Sequence, residues 1–314
     1  MRMIINNRVK ALSVLLACAL MAACTSTSVV PPSIGQSGST PDKPQTAPAQ
    51  PLRQAHIGLA LGGGAARGFA HVGVIQVLEE AGLPPQLVTG TSAGSLVAAL
   101  YASGKTSQEL RRVAETMEEA EITDWMMPIL NRGALRGEAL AKYVNAQVGG
   151  KSIEQMKIPL GIVATDLRNG EVVTFRRGNT GSAVRASSAV PAVFQPVRIG
   201  DREYVDGGLV APVPVKQARE MGANFVIAVD ISSDPEGNPA SDTFQILMQT
   251  FAIMGKSINT LALREAEFVV RPPLSGVKSA DFGARRRSIE AGRSAMLAML
   301  PQLKTRIAAF ERGE

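Results

Sequence analysis

The stretch "LVTGTSAGSLVAAL", residues 87–100, decides how the rest of the chain is read. It passes from an apolar strand-like stub through Gly90-Thr91-Ser92-Ala93-Gly94 into a run that is apolar all round, which predicts a buried helix. The five central residues fit G-x-S-x-G. Glycines on either side leave room for a sharp strand-to-helix turn that lifts a serine hydroxyl clear of a sheet, at a helix end whose dipole favours developing negative charge. A serine at that place is equally an ordinary helix N-cap. Both readings stand on these residues alone.

A second glycine turn precedes it. "HIGLAL", 56–61, reads as a strand that ends at Gly62-Gly63-Gly64, and "ARGFAHVGVIQVLEEAG" follows with helical spacing at Phe69, Val72, Ile75 and Leu78. Backbone N–H groups in such a turn approach an anion closely. In a hydrolase they form an oxyanion hole, where one donor contributes about 3 kcal/mol. The dinucleotide fingerprint fails on spacing, because the position that needs its third glycine is Arg67. Arg67 adds a positive charge beside the turn, or is a salt-bridging surface arginine. "ASGKTS", 102–107, resembles the end of a P-loop, but Ala99 stands where that motif needs glycine and a helix precedes it. Gly104 is better read as a helix C-cap.

Working outward, residues 107–146 read as helical with a break near Pro128. "IPLGIVATDL" and "EVVTFRRG" are two strands around Arg168-Asn169-Gly170, and "FVIAVD", 225–230, is a buried strand after a helix at 215–221. Helices at 241–267 and 285–312 close the chain. Strands alternating with helices predict an α/β fold with a mainly parallel central sheet and helices on both faces.

The first two dozen residues stand apart. Arg2, Arg8 and Lys10 precede the short apolar run "ALSVLLACALMA", too short to span a bilayer, and "MAAC" ends at Cys24. Residues 1–23 are expected to be a lipoprotein signal peptide with Cys24 as the lipidated residue. Cys18 is a rival acceptor, and a plain secretory signal is the alternative. Thr25 rather than Asp after Cys24 points to the outer membrane, facing the periplasm. Residues 24–55 are rich in Pro, Ser, Thr and Gln and are expected to be a disordered tether spanning roughly 30 Å. The folded domain is then 56–314. Without the signal's three positive charges, the net charge of +6 becomes +3, which gives no case for nucleic acid. Both cysteines, Cys18 and Cys24, precede the domain, which therefore has no thiol nucleophile. With two histidines, it also has no basis for a metal site, and no cofactor is implied.

Histidine also governs the mechanism. A Ser-His-Asp triad on an α/β-hydrolase sheet places its histidine after the serine, yet His56 and His71 both precede Ser92. Either would have to fold back. The other available base is a carboxylate. Asp206 in "YVDGGLVAPVPV", 204–215, ends a strand-like stretch before two glycines; Asp166 and Asp230 also end strands and are rivals.

The glycine loop, G-x-S-x-G and Asp-Gly-Gly, in this order, resemble the patatin-like phospholipase family. The resemblance covers about residues 56–300 and includes "RGFAHVGVIQVLEEAG", "ATDLRNGEVVTF", "VRASSAVPAVFQPV" and "GANFVIAVD". It implies a three-layer α/β/α fold and a lipid acyl hydrolase with a Ser–Asp dyad. By position, Ser92 is the nucleophile, Asp206 the general base, and Gly62, Gly63, Gly64 and Arg67 build the oxyanion hole. The substrate implied is a lipid or phospholipid acyl ester. A binding lipoprotein whose turnover has lapsed, or an acyltransferase, uses the same residues. The resemblance also puts the insert at 107–146 beside the acyl groove, with "ITDWMMPIL", 122–130, as an apolar rim or core packing. One departure is Ala211, where many relatives carry a polar residue. "ARRRS", 284–288, is a solvated helix start or a contact for anionic head groups. An ordinary aspartate is a weak base toward serine, so the dyad requires burial to raise its pKa or close contact to ease the transfer.

Overall fold

The computed structural model describes residues 53–122, 124, 133–236, 241–278 and 281–314. The expected signal, Cys24, most of the tether, and the rim segment around Pro128 lie outside the described residues. In chain order the elements are β1 Ile57–Leu61, α1 Ala70–Glu80, β2 Leu87–Thr91, α2 Ala93–Ala102, α3 Ser107–Thr116 and α4 Glu119–Ile122. Next come β3 Gly133–Leu135, α5 Glu138–Gln147, β4 Leu160–Asp166, β5 Val172–Phe175, α6 Thr180–Ser187, β6 Ala192–Phe194, β7 Val197–Ile199 and β8 Arg202–Asp206. The last are α7 Val215–Glu220, β9 Phe225–Val229, α8 Thr243–Ala262, β10 Phe268–Val270 and α9 Arg285–Arg312.

The main sheet runs β10-β9-β1-β2-β4-β8-β7, with β5 also paired to β4. The β10-to-β4 portion is parallel throughout. Its strands are apolar on both faces, as a sheet covered on both sides requires. Alternation sorts them. Leu59 and Leu61 of β1 and Phe225, Ile227 and Val229 of β9 pack under α1, α2, α3, α5 and α9. Ala60, Val226 and Ala228 face the opposite way, onto α7 and Leu263. This is a three-layer α/β/α fold, with a thick helical layer on one side and a thin one on the other.

Helices α1 and α9 approach so closely that their backbones touch. A Cβ on Gly73 would lie 2.0 Å from the Ile289 carbonyl oxygen, and one on Gly292 would lie 2.0 Å from that of Ala70. Only glycine at both places permits that crossing.

The register of β4 positions the site. Ile162 and Val163 pair with both β2 and β5, whereas Ala164 and Thr165 pair with both β5 and β8. The strands β2 and β8 therefore occupy the same edge of β4, one after the other. Strand β2 is parallel to β4 and ends with Thr91 opposite Val163; β8 is antiparallel and ends with Asp206 opposite Ala164. The two strands meet end to end, and the residues that leave them face one another.

Two expectations need correction. The 107–146 region is not wholly helical: β3 interrupts it and pairs in parallel with β6 as a separate two-stranded sheet. Residues 53–55, expected in the tether, are fastened to the end of α9. The Arg53 N–H donates to the Glu311 carbonyl at 2.9 Å, and the Arg53 guanidinium lies 5.2 Å from the Phe310 ring centre. The parallel sheet also carries an antiparallel wing, β5, β8 and β7.

Candidate active site at the end of β2

Ser92 has φ 53° and ψ −125°, and its side chain makes no cap bond to α2. Among the described residues only Ala65 and Ala192 are other non-glycines with positive φ. Such a backbone costs roughly 1–3 kcal/mol and persists only where its surroundings impose it. They do so here. The Ser92 N–H donates to Ser187 Oγ at 2.9 Å, and Ser187 Oγ donates to the Val163 carbonyl at 2.5 Å. The Ser92 carbonyl accepts the Ser95 N–H at 2.8 Å and the Ser95 hydroxyl at 2.6 Å. A Cβ on Gly90 would lie 2.4 Å from the Gly94 carbonyl oxygen, and one on Gly94 would lie 2.2 Å from that of Leu61. Those two approaches are why the motif needs its glycines. The capping-serine reading of Ser92 therefore fails, since its φ is positive where a cap is extended and its side chain accepts no bond from α2.

Asp206 is 6% exposed. Its Oδ1 accepts the Gly208 N–H at 2.7 Å, its own N–H donates to Ala189 O, and its carbonyl accepts the Thr165 hydroxyl at 2.8 Å. Burial pushes the carboxyl up to about 6, against the lowering effects of the Gly208 N–H and the Ser92 hydroxyl. The hydroxyl thus acts on the carboxylate, yet Oδ2 is buried with no closed hydrogen bond. Loose contacts of this kind are common at catalytic pairs without substrate. Ala211 is held on both sides: its N–H donates to Gly207 O and its carbonyl accepts the Thr91 hydroxyl, each at 2.8 Å. The departure from the family pattern at Ala211 leaves the turn bonded.

The rival bases are occupied. Asp166 accepts the Arg168 N–H at 2.9 Å and Arg202 Nη1 at 2.8 Å; that backbone bond chiefly holds its carboxyl below the usual range. Asp230 accepts from Ser232 and from Arg271 Nε at 3.0 Å. His56 precedes β1 and bonds to Gly222 O, at the opposite end of the sheet from Ser92. His71 is wholly buried and donates from Nε2 to Gly62 O at 2.8 Å; burial pushes it down to about 4. Neither histidine hydrogen-bonds to Ser92, so the folded-back triad fails.

The glycine loop is corrected in detail. The Gly62 N–H already donates to Val229 O at 3.0 Å, and the Gly63 N–H to Pro212 O at 2.9 Å. These two glycines shape the loop rather than offer donors. The Gly64 N–H has no partner among the described residues and lies at the cavity wall. Arg67 is 8% exposed and donates from Nε to Ile231 O at 2.8 Å, while its residue still lines the cavity. It is neither a surface salt bridge nor a free cation. Sequence reasoning did not name Ala93, which opens α2 directly after Ser92, where the first N–H groups of a helix have no intrahelical partner. It also missed Ser187 and Thr165, which hold the serine and aspartate backbones.

Two cavities meet at Ser92. One of about 180 Å³ runs among the helices; the other, of about 550 Å³, is lined by Gly64, Arg67, Asp206, Ser232 and the α8 residues Met248 and Phe251. Helix α8 also turns Ile246, Ile253, Met254 and Leu261 to solvent. Arg285 and Arg287 of "ARRRS" are turned onto backbone carbonyls of the chain itself, Arg285 onto those of Glu115, Met117 and Phe282.

Residues 59–219, about half of the chain, match the family model for patatin-like phospholipase. An NTE family protein of Mycobacterium tuberculosis is 38% identical over 187 residues, covering 59% of this chain and 51% of its own length. Human patatin-like phospholipase domain-containing protein 6 is 30% identical over 262 residues, 72% of this chain and 19% of the relative. The crystal structure of VipD from Legionella pneumophila superposes with a TM-score of 0.54 at 15% identity, covering 80% of this chain and 68% of that one, and shares the fold. The chain belongs to the patatin-like phospholipase family. It spans about half the length of the mycobacterial relative.

Proposed function

We propose that the chain is a serine lipid acyl hydrolase acting through an acyl-Ser92 intermediate, with Asp206 as its base. The observation that carries this reading is a strained serine facing a buried carboxylate whose Oδ2 is unpartnered, both in the wall of a largely apolar cavity. In the first step Ser92 Oγ bonds to the ester carbonyl carbon and its proton passes to Asp206 Oδ2. The Gly64 and Ala93 N–H groups receive the oxyanion. The carbon–alkoxide bond then breaks and the leaving oxygen takes the proton from Asp206. Water attacks the acyl-enzyme, gives its proton to Asp206, and Ser92 regains it as the fatty acid leaves. A raised carboxyl suits this work, because proton transfer is most efficient when the base titrates near the working pH.

A fluorophosphonate probe should label wild-type Ser92, and Ser92→Ala should lose both labelling and acyl release from phospholipids. Equal labelling of Ser92→Ala, or full retained esterase activity, would defeat the proposal.

We further propose attachment to the outer membrane, facing the periplasm, through lipid on Cys24 and the following tether. The outward apolar residues of α8 support work at a lipid surface. Cys24→Ala should move the protein from the membrane to the soluble fraction; unchanged membrane association would refute the anchor.

A further inference from the structure

The smaller cavity has a shape that the dyad does not explain. Helix α2 contributes Leu96, Val97 and Leu100 to its wall, and α3 contributes Leu110 and Val113, with Met117 just beyond. These positions recur at three- and four-residue steps, so one stripe of each helix faces the space. Four residues, 103–106, join α2 to α3, so Leu110 lies at the end of α2 where Leu100 stands. Both leucines are nearly inaccessible, at 4% and 1%. Ser92 stands at the other end of the same helix. The cavity is therefore an apolar tube that runs from beside Ser92 along α2 as far as Leu100 and Leu110, and Ile122, Leu140, Phe194 and Phe282 line it and the larger cavity alike.

Its length follows from the helix. Ser92 to Leu100 is eight residues, or about 12 Å at 1.5 Å per residue. An extended hydrocarbon zigzag advances about 1.3 Å per carbon, given bonds of about 1.5 Å. The tube holds about nine carbons. The charged wall groups are elsewhere: Arg67 and Asp206 line the larger cavity with Ser232 and Ser233, whereas Ser92 and Ser188 are the polar residues of the tube. A hydrated or charged alcohol portion fits there and not in the tube, where its polar atoms would have no partner.

We propose that the tube measures the acyl chain: it takes a saturated chain of about eight to ten carbons, with Leu100 and Leu110 as its floor, while the larger cavity takes the alcohol portion. The proposal rests on the acyl-hydrolase reading above and adds the substrate's chain length to it.

The test is a series of p-nitrophenyl esters from acetate to palmitate, assayed with full-length protein. Wild-type kcat/KM should rise about fourfold per methylene while methylenes are still being buried. The rise should stop at about eight to ten carbons. Leu96→Trp, which narrows the tube midway, should lower kcat/KM on decanoate at least tenfold more than on acetate. Leu110→Ala, which deepens the floor, should move the optimum up by two or three carbons. A short-chain fluorophosphonate counts competent Ser92 in each variant, so a misfolded variant is not mistaken for a specificity change. If Ser92 labels in all three proteins and their length profiles coincide, the tube assignment is wrong and the hydrolase reading stands. If Ser92 neither labels nor turns over any ester, the hydrolase reading falls and the tube assignment falls with it.

Discussion

Asp206→Asn is expected to lose turnover by about 10²–10⁴-fold and at the same time to make the folded protein more stable at neutral pH. Both effects come from one carboxylate. In the fold it is buried and its Oδ2 has no hydrogen bond. Its carboxyl is raised from the ordinary 3.8 to about 6, equivalent to about 3 kcal/mol against the charged form. The sign follows from that direction. A raised acid binds its proton more tightly when folded, so its stability contribution is full below pH 3.8 and is lost as pH rises through about 6. Asparagine keeps an acceptor for the Gly208 N–H and carries no charge. Its buried amide nitrogen offsets about 1 kcal/mol of the gain. The variant should therefore melt several degrees above wild type at pH 8. The advantage should disappear at pH 4. His71, lowered from 6.5 to about 4, contributes stability above pH 6.5 that is lost as pH falls through 4. It does so equally in both proteins, so their difference isolates Asp206. Wild-type kcat/KM should fall as pH drops through about 6, because Oδ2 then holds the proton it must accept. Thermal melts and ester kinetics between pH 4 and 8 make the comparison. A variant that is less stable than wild type at pH 8, or retains turnover, would remove Asp206 from the role assigned to it.

Local patterns carried much of this in the amino-acid order. The apolar runs that became β1, β2, β4 and β9 are buried on both faces, and such runs announce themselves without knowledge of their neighbours. The helix over 285–312 was legible because its amphipathic spacing is long and ends before Gly313. Ser92 and Asp206 were legible through their flanking glycines, which mark turns. What was not legible depends on distant partners. That the Gly62 and Gly63 N–H groups are taken is decided by Val229 and Pro212, far along the chain. That Arg67 is fastened inward is decided by Ile231. The end-to-end meeting of β2 and β8 depends on pairing register along β4, to which neither segment's own residues point. The short strands β6, β7 and β10, three residues each, are too brief to show a period.

Ser92→Gly is expected to be more stable than wild type by about 1 kcal/mol, although it removes the nucleophile and abolishes turnover. Glycine adopts φ 53°, ψ −125° without the clash that a Cβ brings, which releases roughly 1–3 kcal/mol of strain. Its greater freedom in the unfolded chain returns roughly 0.5–1 kcal/mol of that. No cap bond is lost, because the hydroxyl caps nothing in α2. Ser92→Ala keeps the Cβ and therefore the strain, so it should lie close to wild type. An ordinary N-cap serine behaves otherwise: replacement by glycine costs a few tenths of a kcal/mol and by alanine about 1. Chemical denaturation of the three proteins thus separates the two readings of "GTSAG" by sign alone. If wild type proves the most stable of the three, Ser92 is a cap after all. If glycine ranks first, the serine is held in place against its own backbone preference by Ser187, Ser95 and the glycine contacts around it. A side chain kept at that expense is kept for its hydroxyl.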